Sequence, residues 1–430
     1  MRKIISLAAL AALVFGAFSC TPKEEPIYDV TVQLVADGQP FAVEGVSVSL
    51  TDGVAVYEGI TDANGIAAFK VIAGAYSATT SFSNNMSLYN GNSNAITVGP
   101  EALAFNLNLA KSKGSQIIIK ELYIGGCFDE ETESKYAKDP YMILYNNSQF
   151  EADASNVVFS VCTPAQAVSA NPYANPDGTF KFESEGWLPA SAAMWWFQSP
   201  VKMAPYSQIV VVFFGAIDHT AGEGGFKNSI DLSSHDYYWM SNEKIAAFTD
   251  PKYVASDGFP ESHKLTGAKI SGRNSWSVDM TQPAIYIANM PTAEASALAT
   301  NSTDFDKTIM MFDAAKMPID NVLDCIEVWA AGSEEKSNVR FPASVNTGHV
   351  SATTYLGHSL YRNVNQAATE ALAENEGKLV YNYAGAVDEE AEISAIDAEA
   401  SIANGAHIVY MDTNNSSLDF HERKAASLKK

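Results

Sequence analysis

Four polar residues, arranged as two adjacent pairs, could bind a divalent metal ion. Asp218 precedes His219, and His235 precedes Asp236. Imidazole nitrogens and carboxylate oxygens are ligands for divalent first-row metals, and a bound ion can activate water for hydrolysis. The sequence therefore offers these four residues as a candidate metal site, which would suit a metal-assisted hydrolase.

Known catalytic spacings are absent from the rest of the sequence. It contains neither H-E-x-x-H nor C-x-x-C, and Ser359 in "GHSLY" lacks the second glycine of a nucleophile elbow. The seven histidines are dispersed singly. We therefore expect a protein that is not an enzyme. No catalytic residue is named, and the sequence identifies no cofactor.

Two aromatic clusters could stack against a flat or sugar-like ligand. The stretch "WLPASAAMWWFQSP" contains Trp195 and Trp196, and "HDYYWM" contains Tyr237 and Trp239. Adjacent side chains of a strand point to opposite faces, so half of these rings should be core residues. The others are candidate ligand-binding residues, because aromatic side chains are enriched at binding sites. The alternative is that all four rings pack inside a large sandwich.

The N-terminus has the pattern of a secretory signal. Arg2 and Lys3 precede an apolar run, 4–18, that is too short to span a bilayer. The small residues around Phe18, directly before Cys20, resemble a bacterial lipobox. The resemblance implies a lipoprotein signal peptide at 1–19, cleavage before Cys20 and lipidation of its thiol. Several acyl chains on one residue anchor firmly, at about 0.8 kcal/mol per buried methylene.

A short tether, 20–27, follows the predicted lipidation site. Its residues Lys23, Glu24 and Glu25 resemble the lysine-plus-acid signal that exports lipoproteins of Bacteroidota to the outer face of the outer membrane. The resemblance implies a lipid-anchored protein of the outer membrane that faces the outside of the cell.

The remaining cysteines are Cys127, Cys162 and Cys325. An odd number cannot form a complete disulfide framework. Cys127 and Cys162 could pair in an oxidising envelope, or all three could be buried free thiols. Both alternatives stay open.

Composition limits the class of partner. The chain has 430 residues, of which 47% are hydrophobic and 18% charged, and its formal net charge is −23. This length allows two or three domains with their own cores. A negative field of this size repels nucleic acid, so we expect no nucleic-acid partner.

Alternating apolar residues predict a small all-β domain at 28–110. Strands are expected at "YDVTVQLV", "GVSVSL" and "LAFNLNL". Between them, "GITDANGIAAFKVIAGAY" places Asp62, Asn64 and Gly65 in a tight turn and ends on a Gly-x-Tyr. This resembles the carboxypeptidase regulatory-like, prealbumin-type sandwich, with its TDxxG turn and GxY ending. The resemblance implies a module without catalytic activity.

A second, larger β-rich domain is expected at 115–424. Its opening strands, "QIIIKELYIGG" and "DPYMILYNNS", resemble those of a lamin-tail-type immunoglobulin-like sandwich, although "MIL" lacks the usual acid. Further strands are predicted at "QIVVVFF", "AIYIANM", "TIMMF" and "CIEVWA", and short helices at "SNEKIAAF" and "TAEASALA". Alanine- and glutamate-rich segments at 363–405 predict a helical or flexible insertion that brackets a strand, "KLVYNYA".

The predicted fold class is therefore mainly β, with an N-terminal prealbumin- or Ig-like β-sandwich followed by a larger β-rich domain with a few short helices. "IIIKELYIGG", "YNNS" and "DTNNSSLDF" also resemble a family of uncharacterised Bacteroidota lipoproteins. Members of that family are encoded near TonB-dependent receptors. The resemblance implies an accessory binding protein for uptake, with a TonB-dependent receptor as partner.

The expected cargo is a small molecule or glycan, which includes a metal chelate or a haem-like compound. The alternatives are the metal-assisted hydrolase and a structural or adhesive surface protein.

Overall fold

The computed structural model describes residues 26–429 except 85–86, 94–95, 102, 132, 222–224, 310–311 and 389–393. The predicted signal peptide, Cys20, Lys23, Glu24 and Glu25 lie outside the described residues. The chain is mainly β, with many sheets and a few short helices. This confirms the predicted fold class.

The chain forms two compact units. The first comprises the described residues up to Ser81 together with Asn90–Ala110. The second comprises Phe82–Tyr89 and the described residues from Lys111 onward.

Nine strands lie between Ile27 and Lys113 in the described ranges. They are β1 Ile27–Ala36, β2 Gln39–Pro40, β3 Ser47–Thr51, β4 Val56–Ile60, β5 Ile66–Ile72, β6 Gly74–Asn84, β7 Ser87–Asn92, β8 Ile96–Val98 and β9 Ala104–Lys113. Their order is β2-β1-β9-β7-β6-β3-β4, with β5 on β1 and β8 on β6. The three strands predicted here by alternation are β1, β3 and β9.

The predicted turn "TDANG" joins β4 to β5. One carboxylate oxygen of Asp62 accepts hydrogen bonds from the backbone N–H groups of Asn64 at 2.9 Å and Ile66 at 3.0 Å. Gly65 has a φ of 78°, and a Cβ there would lie 1.9 Å from the Phe41 carbonyl oxygen. Only glycine fits this position, which explains the sequence of the turn.

The larger unit is built on a sheet of thirteen strands, counted over the described residues. The remaining strands are β10 Ile117–Tyr123, β11 Cys127–Asp129, β12 Ser134–Tyr136, β13 Tyr141–Asn146, β14 Ala152–Asp153, β15 Val157–Val161, β16 Trp187–Trp196, β17 Lys202–Met203, β18 Gln208–Val212, β19 Gly215–Ala216, β20 Tyr238–Met240, β21 Val254–Ala255, β22 Lys264–Lys269, β23 Ala284–Asn289, β24 Ala314–Pro318, β25 Val322–Ala330, β26 Val350–Ala352, β27 Ser359–Arg362 and β28 Phe420–Arg423. The order is β26-β25-β23-β15-β16-β22-β20-β18-β13-β10-β27-β28, and β24 pairs with β16.

Helices are short. They are α1 Thr292–Thr300, α2 Gln366–Glu370, α3 Ala398–Ala403 and α4 Ser416–Asp419, with single 3-10 turns at Glu183–Glu185, Asn242–Lys244, Glu261–His263, Ile319–Asn321, Glu334–Lys336 and Ala373–Asn375. The predicted helix "TAEASALA" is α1, whereas "SNEKIAAF" forms only a 3-10 turn. Within the described part of the chain, no helix combines the length and apolar character needed to cross a bilayer.

Two strand predictions were wrong. The segment "KLVYNYA", 378–384, is not a strand, because its backbone bonds go elsewhere: Val380 N–H donates to the Ser401 hydroxyl at 2.9 Å. The described residues of "TIMMF" also lie outside strands. In both segments the apolar residues pack against the core without a neighbouring strand: Leu379 contacts one cluster and Ile309 another.

The core of the larger unit contains two extensive apolar clusters, and β16 contributes to both. Trp195 belongs to one cluster and Trp196 to the other. Every residue of β16 is buried. Because successive side chains point to opposite faces, this strand must be covered on both sides.

Charged groups are buried beside these clusters. Arg362 is inaccessible to solvent and makes an ion pair with Asp324, and its guanidinium lies 3.8 Å from Asp412 and 3.7 Å from Asp419. Burial, followed by the charge of Asp324, raises the pKa of Asp412 to about 7. One arginine thus faces three carboxyl groups, so one of them holds a proton near neutral pH.

Replacing Asp412 by asparagine is expected to change how stability depends on pH. The pKa of Asp412 in the folded protein lies above its ordinary value of 3.8, so the folded state binds this proton more tightly than the unfolded state does. The resulting stabilisation is fully present below about pH 4 and is lost as the pH rises to about 7. Urea unfolding at about pH 4 and about pH 8 should show Asp412→Asn gaining up to about 4 kcal/mol relative to wild type across that range. Parallel pH profiles would contradict the assignment.

Candidate functional site

The structure places the predicted ligand-binding aromatic residues largely in the core. Trp195, Trp196 and Trp239 are buried, and Tyr237 is half-buried against the first cluster. The Trp195 ring lies edge-on to Trp276 with centroids 6.3 Å apart, and the Trp239 indole N–H donates to a buried carbonyl at 2.5 Å. For Trp195, Trp196 and Trp239 this differs from the ligand-binding prediction, since enclosed rings present no face to a ligand, whereas Tyr237 keeps an accessible part.

The four predicted metal ligands are not brought together. The His219 Nε2–H donates to the Gly215 carbonyl at 2.9 Å, and Nδ1 accepts from the Tyr136 hydroxyl at 2.6 Å. Burial lowers the pKa of His219, which favours this neutral form. Asp218 accepts from the Thr220 N–H and hydroxyl in its own turn.

His235 and Asp236 are exposed. Among the residues that the structure describes, no three histidine, cysteine, aspartate or glutamate side chains lie where they could share a metal ion. Cys127, Cys162 and Cys325 are buried free thiols. Burial raises the pKa of Cys127 to about 12, which makes its thiol a poor nucleophile at neutral pH.

A surface cleft beside α1 is the best candidate for a binding site. The helix begins after Pro291 and contains alanine at four of its nine positions, which favours helix formation. Ala295 and Ala299, one turn apart, are buried in the second cluster. These small side chains let the helix lie close to the sheet, and the neighbouring positions Glu294, Ala297 and Leu298 border the cleft.

The cleft has a volume of about 480 Å³, within the range of about 300–1,000 Å³ that is typical of ligand sites. Its apolar lining consists of Met290, Ala297, Leu298, Phe305 and Pro318. Its polar lining consists of Glu294, Asn301, Asp304 and Lys316. An apolar floor with a few polar groups at its rim can hold an apolar group and orient it through hydrogen bonds.

The charge of Lys316 is already balanced. Its Nζ lies 3.3 Å from a carboxylate oxygen of Glu185 and 4.9 Å from the centre of the Trp187 ring. The same Glu185 oxygen accepts from the Trp187 indole N–H at 2.8 Å. The bonds from Trp187 and Lys316 hold the pKa of Glu185 below its ordinary value. Lys316 is therefore held in place at the rim.

The two carboxylates of the cleft have no such partner. Asp304 accepts from the Asn301 side-chain amide at 2.7 Å and from the Thr303 hydroxyl at 3.3 Å. No ion pair joins Glu294 or Asp304 to a cation among residues 26–429 that the structure describes. The rim thus carries negative charge.

Sequence reasoning did not identify this cleft. Its residues come from Met290, α1, the loop 301–306 and β24, and no short motif joins them. The one available signal was "TAEASALA", a predicted short helix whose alanines mark one side for close packing. That pattern predicts the helix but does not predict that the loop 301–306 and β24 lie beside it and complete the cleft.

This fold and cleft define a mainly β protein with one candidate surface site beside α1. The chain belongs to the DUF4876 family, described as proteins of unknown function, whose sequence profile matches residues 204–427. No curated protein matches the chain.

A crystal structure of a DUF4876 family protein from Bacteroides thetaiotaomicron VPI-5482 is similar to this chain. The two are 21% identical, with a TM-score of 0.56 over 91% of this chain and 94% of that one. At this identity the likeness is one of fold. A DUF3823 family protein from Parabacteroides merdae ATCC 43184 is 11% identical, with a TM-score of 0.18 over 71% of this chain and 99% of that one.

Proposed function

We propose that this protein is a lipid-anchored protein of the outer membrane, facing outward, that serves a TonB-dependent uptake system as a binding accessory without catalysing a reaction. The observation that carries the binding role is the cleft of about 480 Å³ beside α1. An apolar, partly open site of this size with charged groups at its rim suits recognition of a ligand or partner.

The proposed location depends on the N-terminal sequence. The lipobox-like residues before Cys20 and the Lys23, Glu24 and Glu25 signal support an anchor and outward export. The finer assignments of the two units, as a carboxypeptidase regulatory-like sandwich and a lamin-tail-like region, belong to the same proposal. Mass spectrometry of the mature N-terminus should find acyl chains on Cys20, and an unmodified thiol would contradict the anchor.

Purification of the full chain from detergent-solubilised outer membranes should recover a TonB-dependent receptor. Leu298→Arg should reduce that recovery at least about fivefold, because a charged side chain would fill the apolar floor. Leu418→Arg is the matched control, since Leu418 is 53% exposed on α4 and outside the cleft lining. Circular dichroism should show that both variants are folded.

Wild-type protein that recovers no receptor would count against the uptake role. Equal loss in both leucine variants would count against the cleft as the contact. Metal chelates, haem-like compounds and glycans remain the proposed cargo classes, and the same preparation, analysed for small molecules, distinguishes among them.

A further inference from the structure

The edge of β24 faces the cleft with main-chain groups that are not used by the sheet. β24 pairs with β16 on one side only, with Ser191 opposite Ala314 and Pro189 opposite Lys316. On the other side, Ala314 exchanges two backbone hydrogen bonds with Asp306, at 2.8 and 3.0 Å. The N–H and C=O of Ala314 therefore point away from β16.

In an antiparallel pair, residues two positions apart direct their main-chain groups to the same side. The N–H and C=O of Lys316 must then also point away from β16. The residue opposite supports this, because Pro189 has no N–H and fits only where no ladder bond is required. On the side of β24 away from β16, the loop 301–306 no longer pairs with the strand at Lys316, since Asp304 N–H donates to the Asn301 carbonyl at 3.1 Å.

Lys316 N–H consequently has no partner among the residues that the structure describes. Lys316 also lines the cleft, together with Asp304 and Phe305 of the loop and Leu298 of α1. An unpaired strand edge beside an apolar floor is the arrangement that accepts an extended peptide as an added strand.

We propose that the cleft binds an extended, basic peptide segment, which pairs its backbone with Lys316 and places an apolar side chain between Leu298 and Phe305. The basic character follows from charge complementarity, because Glu294 and Asp304 line the cleft without a cationic partner while Lys316 is balanced by Glu185. The inference rests on the proposed function in that it assigns a ligand class to the same cleft.

The probe is a fluorescein-labelled peptide, Lys-Thr-Val-Leu-Val-Thr-Lys, followed by fluorescence anisotropy with the full chain. Lys316→Pro removes the outward N–H without removing a bond to β16, and should weaken binding about tenfold or more. Lys316→Ala keeps the N–H and should bind within about threefold of wild type. A peptide with glutamate at both ends should bind about tenfold more weakly than the basic one.

Two analogues of the peptide repeat the test on the unaltered protein, in case Lys316→Pro does not fold. One analogue carries methyl groups on every second backbone nitrogen along one edge of the strand, and the other carries them along the opposite edge. Only one edge of an added strand pairs with β24, so one analogue should lose binding and the other should keep it. Equal behaviour of the analogues, equal effects of proline and alanine, or no binding of the basic peptide at about 1 mM would overturn the proposal.

The outcome also separates this inference from the proposed function. Receptor recovery that Leu298→Arg abolishes and Lys316→Pro leaves unchanged would overturn strand pairing and leave the uptake role intact. Peptide binding that Lys316→Pro abolishes, with no receptor recovered by wild type, would support strand pairing and contradict the uptake role.

Discussion

Replacing Glu327 by glutamine is expected to lower the free energy of unfolding by about 3–5 kcal/mol. Glu327 and Arg340 are both inaccessible to solvent, and one carboxylate oxygen accepts from the guanidinium Nε at 2.8 Å and Nη2 at 2.6 Å. Burial raises the pKa of Glu327, and the charge of Arg340 opposes that rise. The neutral amide would leave a buried cation without its counter-ion.

Arg340 cannot relieve that loss by turning toward water. Its Nη1 donates to the Gln282 carbonyl at 2.7 Å and its Nη2 to the Val328 carbonyl at 2.9 Å. The side chain therefore links β25 to the segment before β23. Urea unfolding of Glu327→Gln measures the effect. The double variant Glu327→Leu with Arg340→Met should recover only part of it, because it removes the uncompensated charge but leaves the Gln282 and Val328 carbonyls without their donor.

Glu131→Gln is the matched control. Glu131 makes an ion pair with Lys227 at 2.8 Å, but both side chains are 75% exposed. Solvent screens such a pair, so the urea midpoint of this variant should match that of wild type. Equal shifts of the urea midpoint in Glu327→Gln and Glu131→Gln would contradict the view that burial makes the Glu327–Arg340 pair important for stability.

Much of the fold was predictable because a strand with one buried face alternates apolar and polar residues in the sequence. Val30, Val32 and Leu34 alternate with less buried residues along β1, and they are buried in the structure. The run "QIVVVFF" predicted a central strand, and β18 lies between β13 and β20. In contrast, "KLVYNYA" has a strand-like composition, yet its backbone bonds to a loop and a helix. Composition does not reveal such partners, because they lie far along the chain.

The candidate site was less predictable for the same reason. The metal prediction relied on adjacency in sequence, whereas the Asp218 carboxylate and the His219 ring satisfy separate local hydrogen bonds. The cleft instead joins Leu298, Phe305 and Lys316, which no short motif connects. Its strand edge becomes visible only when the register places Pro189 opposite Lys316.

Trp195→Ala is expected to destabilise the larger unit by about 3–5 kcal/mol. Trp195 is fully buried in β16, where its ring lies 5.7 Å from Phe248 and 6.3 Å from Trp276, measured between centroids. Alanine would leave a cavity between these rings that the two sheet faces cannot close. Thermal or urea unfolding followed by near-ultraviolet circular dichroism would measure the loss.

Trp195→Phe tests whether volume or the indole N–H matters. That N–H has no hydrogen-bond partner among the described residues, so its removal should cost nothing, and the smaller cavity should cost about 1–2 kcal/mol. Both variants, when folded, should bind the basic peptide as wild type does, because Trp195 lies outside the cleft. A stable Trp195→Ala variant that had lost ligand binding would instead place this ring in a binding site and contradict its assignment to the core.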